Sequence, residues 1–444
     1  MRPKRFSPSL SLIICLVALA FPAAAEKVYS FQNEGDGAIP YAGLTSDGYG
    51  NLYGTTAGLS LDGYCQKGCG TVFEMMAPAT NGGAWTYNVL YAFTMQNGDG
   101  AFPGSGLVLD AAGNLYGTTS GGGSNIGICQ YYGCGTVFEL SPNSSGGWTE
   151  TVLYAFKGGT DGQNPEGSLI LDRNAALYGT TVVGGDSSSC TDCGTVFRLA
   201  PPSVPGGAWT EQVLHRFNNF SGGFWPEAGV VAADKSGALY GTTNEGGQGS
   251  NYCSDGCGVV FKLAPPSKPG GTWTKTVIYR FTGEGDGGQP YAGVTFDRLG
   301  NLYGTTNTGH SNEGAVYKLT PPAENSGAWT ETTLYTCATD AGPEYSTAGV
   351  IFDKAGNVYA TSESGGLRGL GDVFRLKPPA TKGGPWTETT LYTFKGGKDG
   401  RWPYAGLVFG KDGALYGSTL QGGGGKCSNG AHDFGCGTVF RLVP

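Results

Sequence analysis

Histidine is nearly missing from this sequence, and the motif of the common serine hydrolases is missing altogether. The 444 residues include only His215, His310 and His432, and no Gly-x-Ser-x-Gly segment. A three-histidine metal centre would need all three side chains to meet, and a nucleophile elbow needs that glycine-flanked serine. We therefore predict no catalytic residue, no metal site and no cofactor.

Positive charge is also scarce. Beyond residue 25 the sequence holds 24 Lys and Arg against 35 Asp and Glu, which gives a formal charge of −11. Nucleic acids and anionic membranes attract proteins through clustered Lys and Arg. We therefore expect neither of them as a partner, whereas cations or neutral polymers fit the charge better.

Long apolar runs are absent from all but the first 25 residues. Three basic residues precede an apolar run at 10–21, and three alanines ending at Ala25 follow it. This order is typical of a secretory signal peptide, and the run is short for an uncleaved membrane anchor. We predict a cleaved signal at residues 1–25 and a single domain at 26–444. The mature chain is then a monomer without membrane insertion that is secreted, periplasmic or held at the cell surface.

One short phrase, in contrast, is abundant. Leu-Tyr-Gly-Thr-Thr and close variants occur seven times, at intervals of 56 to 63 residues. The tyrosines of the seven copies are Tyr53, Tyr116, Tyr178, Tyr240, Tyr303, Tyr359 and Tyr416. A fixed period favours one repeat array over several separate domains. The 81 glycines and 24 prolines then belong to turns, since 39% hydrophobic residues suffice for a core.

Each repeat reads as four short strands. In the second copy the strands are predicted at 107–110, 115–119, 135–140 and 148–156, and an Asp-x-x-Gly-Asn turn joins the first two. Four antiparallel strands in each of seven units predict an all-β fold, a seven-bladed β-propeller. The seventh unit lacks a fourth strand, while residues 28–31 supply a spare one. We predict that this N-terminal strand completes the last blade and closes the ring.

Ten cysteines occur as close pairs at the same point of five repeats. The pairs are Cys65 with Cys69, Cys129 with Cys134, Cys190 with Cys193, Cys253 with Cys257, and Cys427 with Cys436. Local disulfides formed in an oxidising compartment are the simplest interpretation. A redox centre would not recur five times with variable spacing, and four-cysteine zinc sites would need two pairs to meet. Cys337 has no such neighbour in the sequence and is predicted to be a buried small residue.

These motifs resemble a known tandem repeat. The Gly-Asn-Leu-Tyr-Gly-Thr-Thr core, the Gly-Cys-Gly-Thr-Val-Phe-Glu-Leu strand and the Trp-Thr-Glu-Thr-Val-Leu-Tyr-Ala-Phe strand are similar to those of the GloVer (Gloeo-Verruco) repeat family. The resemblance covers essentially the whole chain after the signal. It implies export and a repeat architecture, and no catalytic residues come with it. Some family members carry a C-terminal surface anchor, whereas here Pro444 directly follows a predicted strand.

Candidate ligand-binding residues follow a proline in the loop that leads into each innermost strand. We expect the residue after this proline to approach the channel mouth of the propeller. The candidates are Glu166, Glu227, Glu344, Tyr41, Tyr291 and Tyr404, with Trp225 and Trp402 just before the proline. Carboxylates between aromatic rings suit a sugar or a cation. The alternative is that the tyrosines pack between blades and the glutamates are solvated.

The sequence leaves several functions open. A binding propeller for an extracellular glycan or a surface protein is favoured, because an active site usually breaks the symmetry of such similar repeats. A polysaccharide lyase or hydrolase using Glu166 and Glu227 is the alternative, since glycoside hydrolysis needs two carboxyl groups. A structural envelope protein is a third possibility. Aspartates in repeated Asp-Gly turns, Asp36 among them, would give a calcium ion too few ligands without backbone help.

Overall fold

The protein is built from seven four-stranded antiparallel sheets, as the sequence predicts. The computed structural model describes residues 25–444 except 59–67, 81, 126, 188–189, 205, 219, 229, 269, 309–313, 324–326, 338–342, 367, 382 and 428–432, and it leaves out the side chains of 186–187, 191, 231–233 and 343–344. The sheets follow one another along the chain as the blades of a β-propeller, with the first strands of neighbouring blades in contact around a central axis.

The strand bounds show how regular the blades are. From first to fourth strand, blade 1 consists of Thr45–Ser46, Leu52–Thr56, Thr71–Met76 and Thr86–Ala92; blade 2 of Val108–Leu109, Leu115–Thr119, Thr136–Pro142 and Trp148–Ala155; blade 3 of Ile170–Leu171, Leu177–Thr181, Thr195–Ala200 and Thr210–Arg216; blade 4 of Val230–Ala233, Leu239–Thr243, Val259–Ala264 and Thr274–Arg280. Blade 5 consists of Thr295–Phe296, Leu302–Thr306, Ala315–Thr320 and Thr330–Thr336; blade 6 of Ile351–Phe352, Val358–Ser362, Asp372–Lys377 and Thr387–Thr393; blade 7 of Val408–Phe409, Leu415–Thr419, Thr438–Leu442 and the N-terminal Ala25–Ser30.

Smaller elements lie in the loops between these strands. Short strand pairs join Gly100–Ala101 to Gly121–Gly122, Gly185–Ser187 to Cys190–Asp192, and Pro343–Glu344 to Ser364–Gly365. Single 3₁₀ turns lie at Gly127–Cys129, Gly159–Asp161, Phe220–Gly222 and Gly397–Asp399. Nowhere in the described ranges is a helix long and apolar enough to cross a membrane.

The ring closes through the two ends of the chain, as predicted. Ala25–Ser30 pairs antiparallel with Thr438–Leu442, from Ala25 beside Leu442 to Ser30 beside Thr438. Phe31 follows this strand and is fully buried. The N-terminal strand thus covers the edge of blade 7 that would otherwise be open to another chain.

A tight hairpin joins the first two strands of each blade. In blade 1 the carboxylate of Asp47 accepts hydrogen bonds from the backbone N–H groups of Tyr49, Gly50 and Asn51 at 2.7–2.9 Å. Gly50 has a φ of 100°, a conformation that favours glycine. The Asp-x-x-Gly-Asn pattern therefore fixes the turn by its own hydrogen bonds.

The repeated Leu-Tyr-Gly-Thr-Thr phrase packs the core of each blade. Its glycine lies under the aromatic ring of the third strand: a Cβ atom at Gly117 would come within 2.6 Å of Phe138 Cζ. Phe138 and its counterpart in each other blade are fully or almost fully buried. Six blades carry glycine at this close approach, whereas blade 6 carries Ala360 opposite Phe374. The phrase is therefore a packing motif.

In six of the seven blades the first hydroxyl residue of the pair in this phrase ties the blade to the next, whereas Thr180 Oγ1 of blade 3 is buried without a hydrogen-bond partner among the described residues. Thr242 Oγ1 donates to the carbonyl of Ala292 at 2.9 Å. Ala292 lies in the loop that leads into the first strand of the next blade, and we call this loop of each blade its inner loop. Equivalent bonds run from Thr55 to Ser105, Thr118 to Gly167, Thr305 to Ala348, Thr361 to Ala405 and Ser418 to Pro40. These buried bonds hold the inner loops at fixed positions around the axis.

Four of the five predicted disulfides are present: Cys129–Cys134, Cys190–Cys193, Cys253–Cys257 and Cys427–Cys436. Cys65 lies outside the described residues, so its pairing with Cys69 stays a prediction. Cys337 is buried, as expected. The predicted signal peptide also lies outside the described residues, except for Ala25.

Candidate functional site

Each inner loop contains a residue with a left-handed backbone conformation, and the second residue after it faces the central axis. A residue with left-handed φ, between 44° and 60°, precedes the proline of each loop or its replacement. These residues are Ile39, Phe102, Asn164, Trp225, Gln289, Tyr345 and Trp402. The carbonyl of Trp225 accepts a hydrogen bond from Asn244 N–H, just after the second strand, at 2.9 Å. The loop before the first strand and the loop after the second strand are thereby held together.

The second residues after these left-handed positions converge on one cavity of about 470 Å³. We call them the mouth ring: Tyr41, Gly104, Glu166, Glu227, Tyr291, Thr347 and Tyr404. Five of the predicted ligand residues belong to it. Ser346 replaces the proline in blade 6, so that Thr347 occupies the ring position there.

Glu344 is placed differently from the expectation that it lies in this ring. Its backbone forms a short strand pair with Ser364, and its side chain lies outside the described part of the chain. Thr347, three residues further along, occupies the position instead and donates to the carbonyl of Tyr404 at 3.1 Å. The proline at 343 misaligned the sequence prediction, because blade 6 carries Ser346 at the position where the other inner loops carry their proline.

Aromatic rings form one wall of the cavity. The rings of Tyr41 and Tyr404 lie 4.4 Å apart between centroids, tilted by 39°. Tyr41 exposes 40% of its surface, which makes its ring accessible to a ligand. Burial, and to a smaller degree the charges of Glu166, Glu227 and other carboxyl groups, raises the pKa of Tyr41 to about 12. Both rings therefore stay neutral at physiological pH and can stack or donate a hydrogen bond.

Carboxyl groups form the opposite side. Within the described lining of the cavity, Glu166 and Glu227 are the residues with a formal charge. Burial, with added repulsion from Glu166 and Glu245, raises the pKa of Glu227 to about 7. Burial also raises the pKa of Glu166. Glu166 lies within the cavity, but more than a third of its surface is accessible to solvent there. This solvent contact reduces the rise in its pKa.

A second set of residues, just after the second strands, lies beside the mouth ring. Asn244 is 3% exposed, and its Nδ2 donates to Glu227 Oε1 at 3.2 Å. Its Oδ1 is buried and accepts no hydrogen bond. Burial raises the pKa of Glu363, whose charge in turn raises the pKa of Tyr41, Tyr291 and Tyr404.

The sequence prediction did not include Asn244 or Glu363. Each directly follows its Thr-Thr or Thr-Ser pair, where blade 5 carries a second asparagine, Asn307, and the remaining copies carry Ala57, Ser120, Val182 and Leu420. This difference between otherwise similar repeats is the signal that would have identified them.

The two predicted tryptophans flank the cavity but are not part of its described lining, whereas Phe102 at the same loop position is. Trp225 is 36% exposed, and its Nε1 donates to the carbonyl of Asp192 at 3.0 Å. Trp402 stacks with the guanidinium of Arg401, which lies 4.8 Å from the ring.

Below the mouth ring the cavity narrows to a ring of small residues. The backbones of Gly43 and Gly406 approach so closely that a Cβ atom on Gly43 would lie 3.5 Å from the Gly406 carbonyl oxygen. Gly106 N–H donates to Ser168 Oγ at 3.0 Å across the next blade boundary. A ligand would therefore rest on backbone at the base of the cavity, with side chains around it.

The aspartates of the Asp-Gly turns accept hydrogen bonds from tyrosines of the fourth strands. Asp286 accepts hydrogen bonds from the hydroxyl of Tyr279 and the backbone N–H of Thr282, both at 2.9 Å, and Asp161 and Asp399 bind the equivalent tyrosines. Throughout the described segments there is no group of three or more His, Cys, Asp or Glu arranged to hold a metal ion.

Comparisons with known proteins identify the repeat. The model of the Gloeobacter/Verrucomicrobia repeat matches residues 17–189, 62–268, 128–329 and 249–444, which overlap and together span nearly the whole chain. No curated protein matches the chain.

Several solved structures are similar to this chain. A fungal alcohol oxidase of the AA5 family, in complex with copper, is 15% identical with a TM-score of 0.53, over 96% of this chain and 77% of that chain. A putative oxidoreductase (glucose dehydrogenase) from Thermus thermophilus is 18% identical with a TM-score of 0.43, over 77% and 96%. The NanB sialidase from Streptococcus pneumoniae is 12% identical with a TM-score of 0.40, over 96% and 71%. At these identities the similarity extends to the fold alone.

Proposed function

The chain belongs to the Gloeobacter/Verrucomicrobia repeat family, and from that premise we propose that it is an exported, non-catalytic propeller that binds an extracellular carbohydrate at its channel mouth. Tyrosine rings and carboxyl groups that face one open cavity of about 470 Å³ are the observation on which the proposal rests. A cavity of this size holds a small number of sugar units.

The chemistry of the cavity suits a saccharide. Sugars present flat apolar faces, which stack on rings such as Tyr41 and Tyr404, and hydroxyl groups, which donate to carboxylates such as Glu166 and Glu227. The backbone around the cavity is fixed by hydrogen bonds between blades. Such preorganisation lowers the entropic cost of binding.

Export is supported by the cysteines. Four disulfides are present among the described residues, and disulfides form and persist in oxidising compartments. The basic, apolar and small-residue order of residues 1–25 is the pattern of a secretory signal. Both observations favour a location outside the cytoplasm.

A glycan array with the purified exported chain tests the proposal. We expect at least one polymer to be retained intact, and Tyr404→Ala to weaken its retention by about tenfold, as the loss of a stacking ring implies. Tyr49→Ala is the control, because Tyr49 is 83% exposed in a hairpin on the opposite face. An array on which no glycan is retained contradicts the proposal and leaves a surface protein as ligand or a structural role in the envelope.

A second candidate is a polysaccharide lyase or hydrolase. The observation that favours it is the pair of carboxyl groups, Glu166 and Glu227, on adjacent blades, both with raised pKa. Under this alternative, a retained polymer would release reducing ends or unsaturated products. Glu166→Gln and Glu227→Gln would each abolish that turnover, and unchanged turnover would exclude these residues as the catalytic pair.

A further inference from the structure

We infer that the channel mouth selects saccharides that carry a positively charged amine over neutral saccharides of the same length. This inference rests on the proposed carbohydrate site and names the ligand class of that site. Three features of the mouth support it: uncompensated negative charge, one buried hydrogen-bond acceptor without a partner among the described residues, and an accessible aromatic wall.

The negative charge at the mouth lacks a counter-ion. The described lining contains Glu166 and Glu227 but no Lys, Arg or His. The charges that act on Glu227 are those of Glu166 and Glu245, both of its own sign. Glu363 adds a third carboxyl group close enough to act on Tyr41 and Tyr404. A bound cation would relieve this repulsion, and a neutral ligand would not.

Asn244, beside Glu227, offers a hydrogen-bond acceptor at the mouth. Asn244 Oδ1 is buried in a side chain that is only 3% exposed, and no described group donates to it. Asn244 Nδ2 is already used by Glu227, so the amide oxygen is fixed in place next to the carboxylate. A buried acceptor without a partner costs free energy until a donor arrives. An ammonium group offers three donors and accepts none.

The aromatic wall completes the site for a cation. The Tyr41 ring is accessible, and the Tyr404 ring lies 4.4 Å from it. Neutral tyrosine faces attract ammonium groups, and more strongly where water is partly excluded. The tyrosines that stack with a sugar ring are thus also placed to hold its charged substituent.

The test uses three oligosaccharides of equal length: a glucosamine oligomer, its N-acetylated form, which is neutral, and its N-trimethylated form, whose charge is permanent. Calorimetric titration at about pH 8, above the pKa of about 7 that burial gives Glu227, measures the affinities of the three oligomers. We expect the N-trimethylated oligomer to bind at least about tenfold more tightly than the N-acetylated one, because its charge would face two carboxylates and an aromatic ring. The trimethylated nitrogen has no N–H donor for Asn244 Oδ1, so this preference measures the effect of the charge alone.

Matched variants separate local from general charge. Glu166→Gln with Glu227→Gln should reduce the preference for the charged oligomer to less than about twofold, since both carboxylates are gone. Glu34→Gln with Glu284→Gln removes the same net charge from exposed turns and should leave the preference unchanged. Loss of the preference in this control as well would overturn the assignment to the mouth.

The outcomes test the amine preference separately from the proposed carbohydrate binding. Equal affinities for the charged and the neutral oligomers overturn the amine preference, while retention of a neutral glycan that depends on Tyr404 would leave the carbohydrate site standing. Absence of binding by all three oligomers and by every glycan of the array overturns both.

Discussion

Glu227 illustrates what single residues contribute to this site. Its carboxyl group lies beside an amide donor, Asn244, and two carboxyl groups of its own sign, and burial raises its pKa to about 7. An acid whose folded pKa lies above the unfolded value destabilises the native state when ionised. This destabilising contribution to the free energy of unfolding is zero well below pH 4.5. It grows as the pH rises from 4.5 to about 7 and reaches its full size above that range.

Glu227→Gln should therefore stabilise the protein in a pH-dependent way. We expect a gain of about 1 kcal/mol at about pH 8 and none at about pH 4, after allowance for solvent screening in the cavity. Chemical denaturation at the two pH values measures the difference. The exposed Glu34→Gln serves as the control, and an equal gain at both pH values would contradict the ionisation account.

Single residues also show where sequence reasoning succeeded and where it failed. The position after the loop proline was enough to bring Glu166, Glu227 and Tyr404 together. Proline does not mark the register in blade 6, because the residue with left-handed φ there, Tyr345, follows Pro343 and precedes Ser346. The backbone of Glu344 therefore lies before the ring position, which Thr347 occupies. Asn244 was missed because its partner Glu227 lies 17 residues earlier, in the loop before the first strand of the same blade, and only the folded blade brings the two side chains together.

Among the elements, the second strand is the most sensitive to substitution. Gly117→Ala would place a Cβ atom 2.6 Å from Phe138 Cζ and 2.9 Å from Leu107 Cδ2, both in the packed core of one blade. We expect a loss of about 1–3 kcal/mol in unfolding free energy.

Thermal or denaturant unfolding measures this loss, and Gly48→Ala is the matched control. A Cβ at Gly48 meets nothing within 4 Å, and the equivalent residue of the next repeat is already Ala111. Comparable losses in the two variants would show that the close approach is not what requires glycine at 117.

The disulfide-linked loops are a second kind of element. Replacing Cys253 and Cys257 together by alanine removes one such link, and we expect a loss of about 2 kcal/mol, as for other short loops. Calorimetry with and without a reductant measures it. Reduction should lower the unfolding temperature of the wild type by more than that of the double variant, and equal shifts would show that this link contributes nothing.

For the whole molecule, ring closure is the contact on which stability depends most. Deleting residues 26–32 would remove the strand that completes blade 7, the fully buried Phe31, and the stack of Tyr29 on Tyr87 at 4.1 Å. We expect the unfolding temperature to fall markedly, by roughly ten degrees, and the exposed edge to promote association.

Glu26→Gln is the control for this deletion. Glu26 meets Arg441 at 3.6 Å with its side chain 63% exposed, and such surface pairs contribute little. An unchanged melting curve for the deletion would refute the closure account, whereas an unchanged curve for Glu26→Gln is the expected result.

The fold was predictable as a whole because its information is repeated. Because the phrase occurs seven times, the same blade structure is predicted independently from each copy. The last repeat lacks a fourth strand and the N-terminus supplies an extra one, which predicts the closure of the ring. The site was predictable only in part, because it is built where the copies differ. The cavity that brings Glu166 of one blade near Glu227 of the next exists only after the ring has formed.

Ring closure also sets the order in which the chain folds. Within blades 1 to 6 each strand pairs with one nearby in the chain, whereas Ala25 pairs with Leu442, more than 400 residues further along. Local pairings form quickly, and distant ones must wait for loop closure. We therefore expect the strand Ala25–Ser30 to pair after the strands of blades 1 to 6. Until then both edges of the unfinished ring are open to association with other chains.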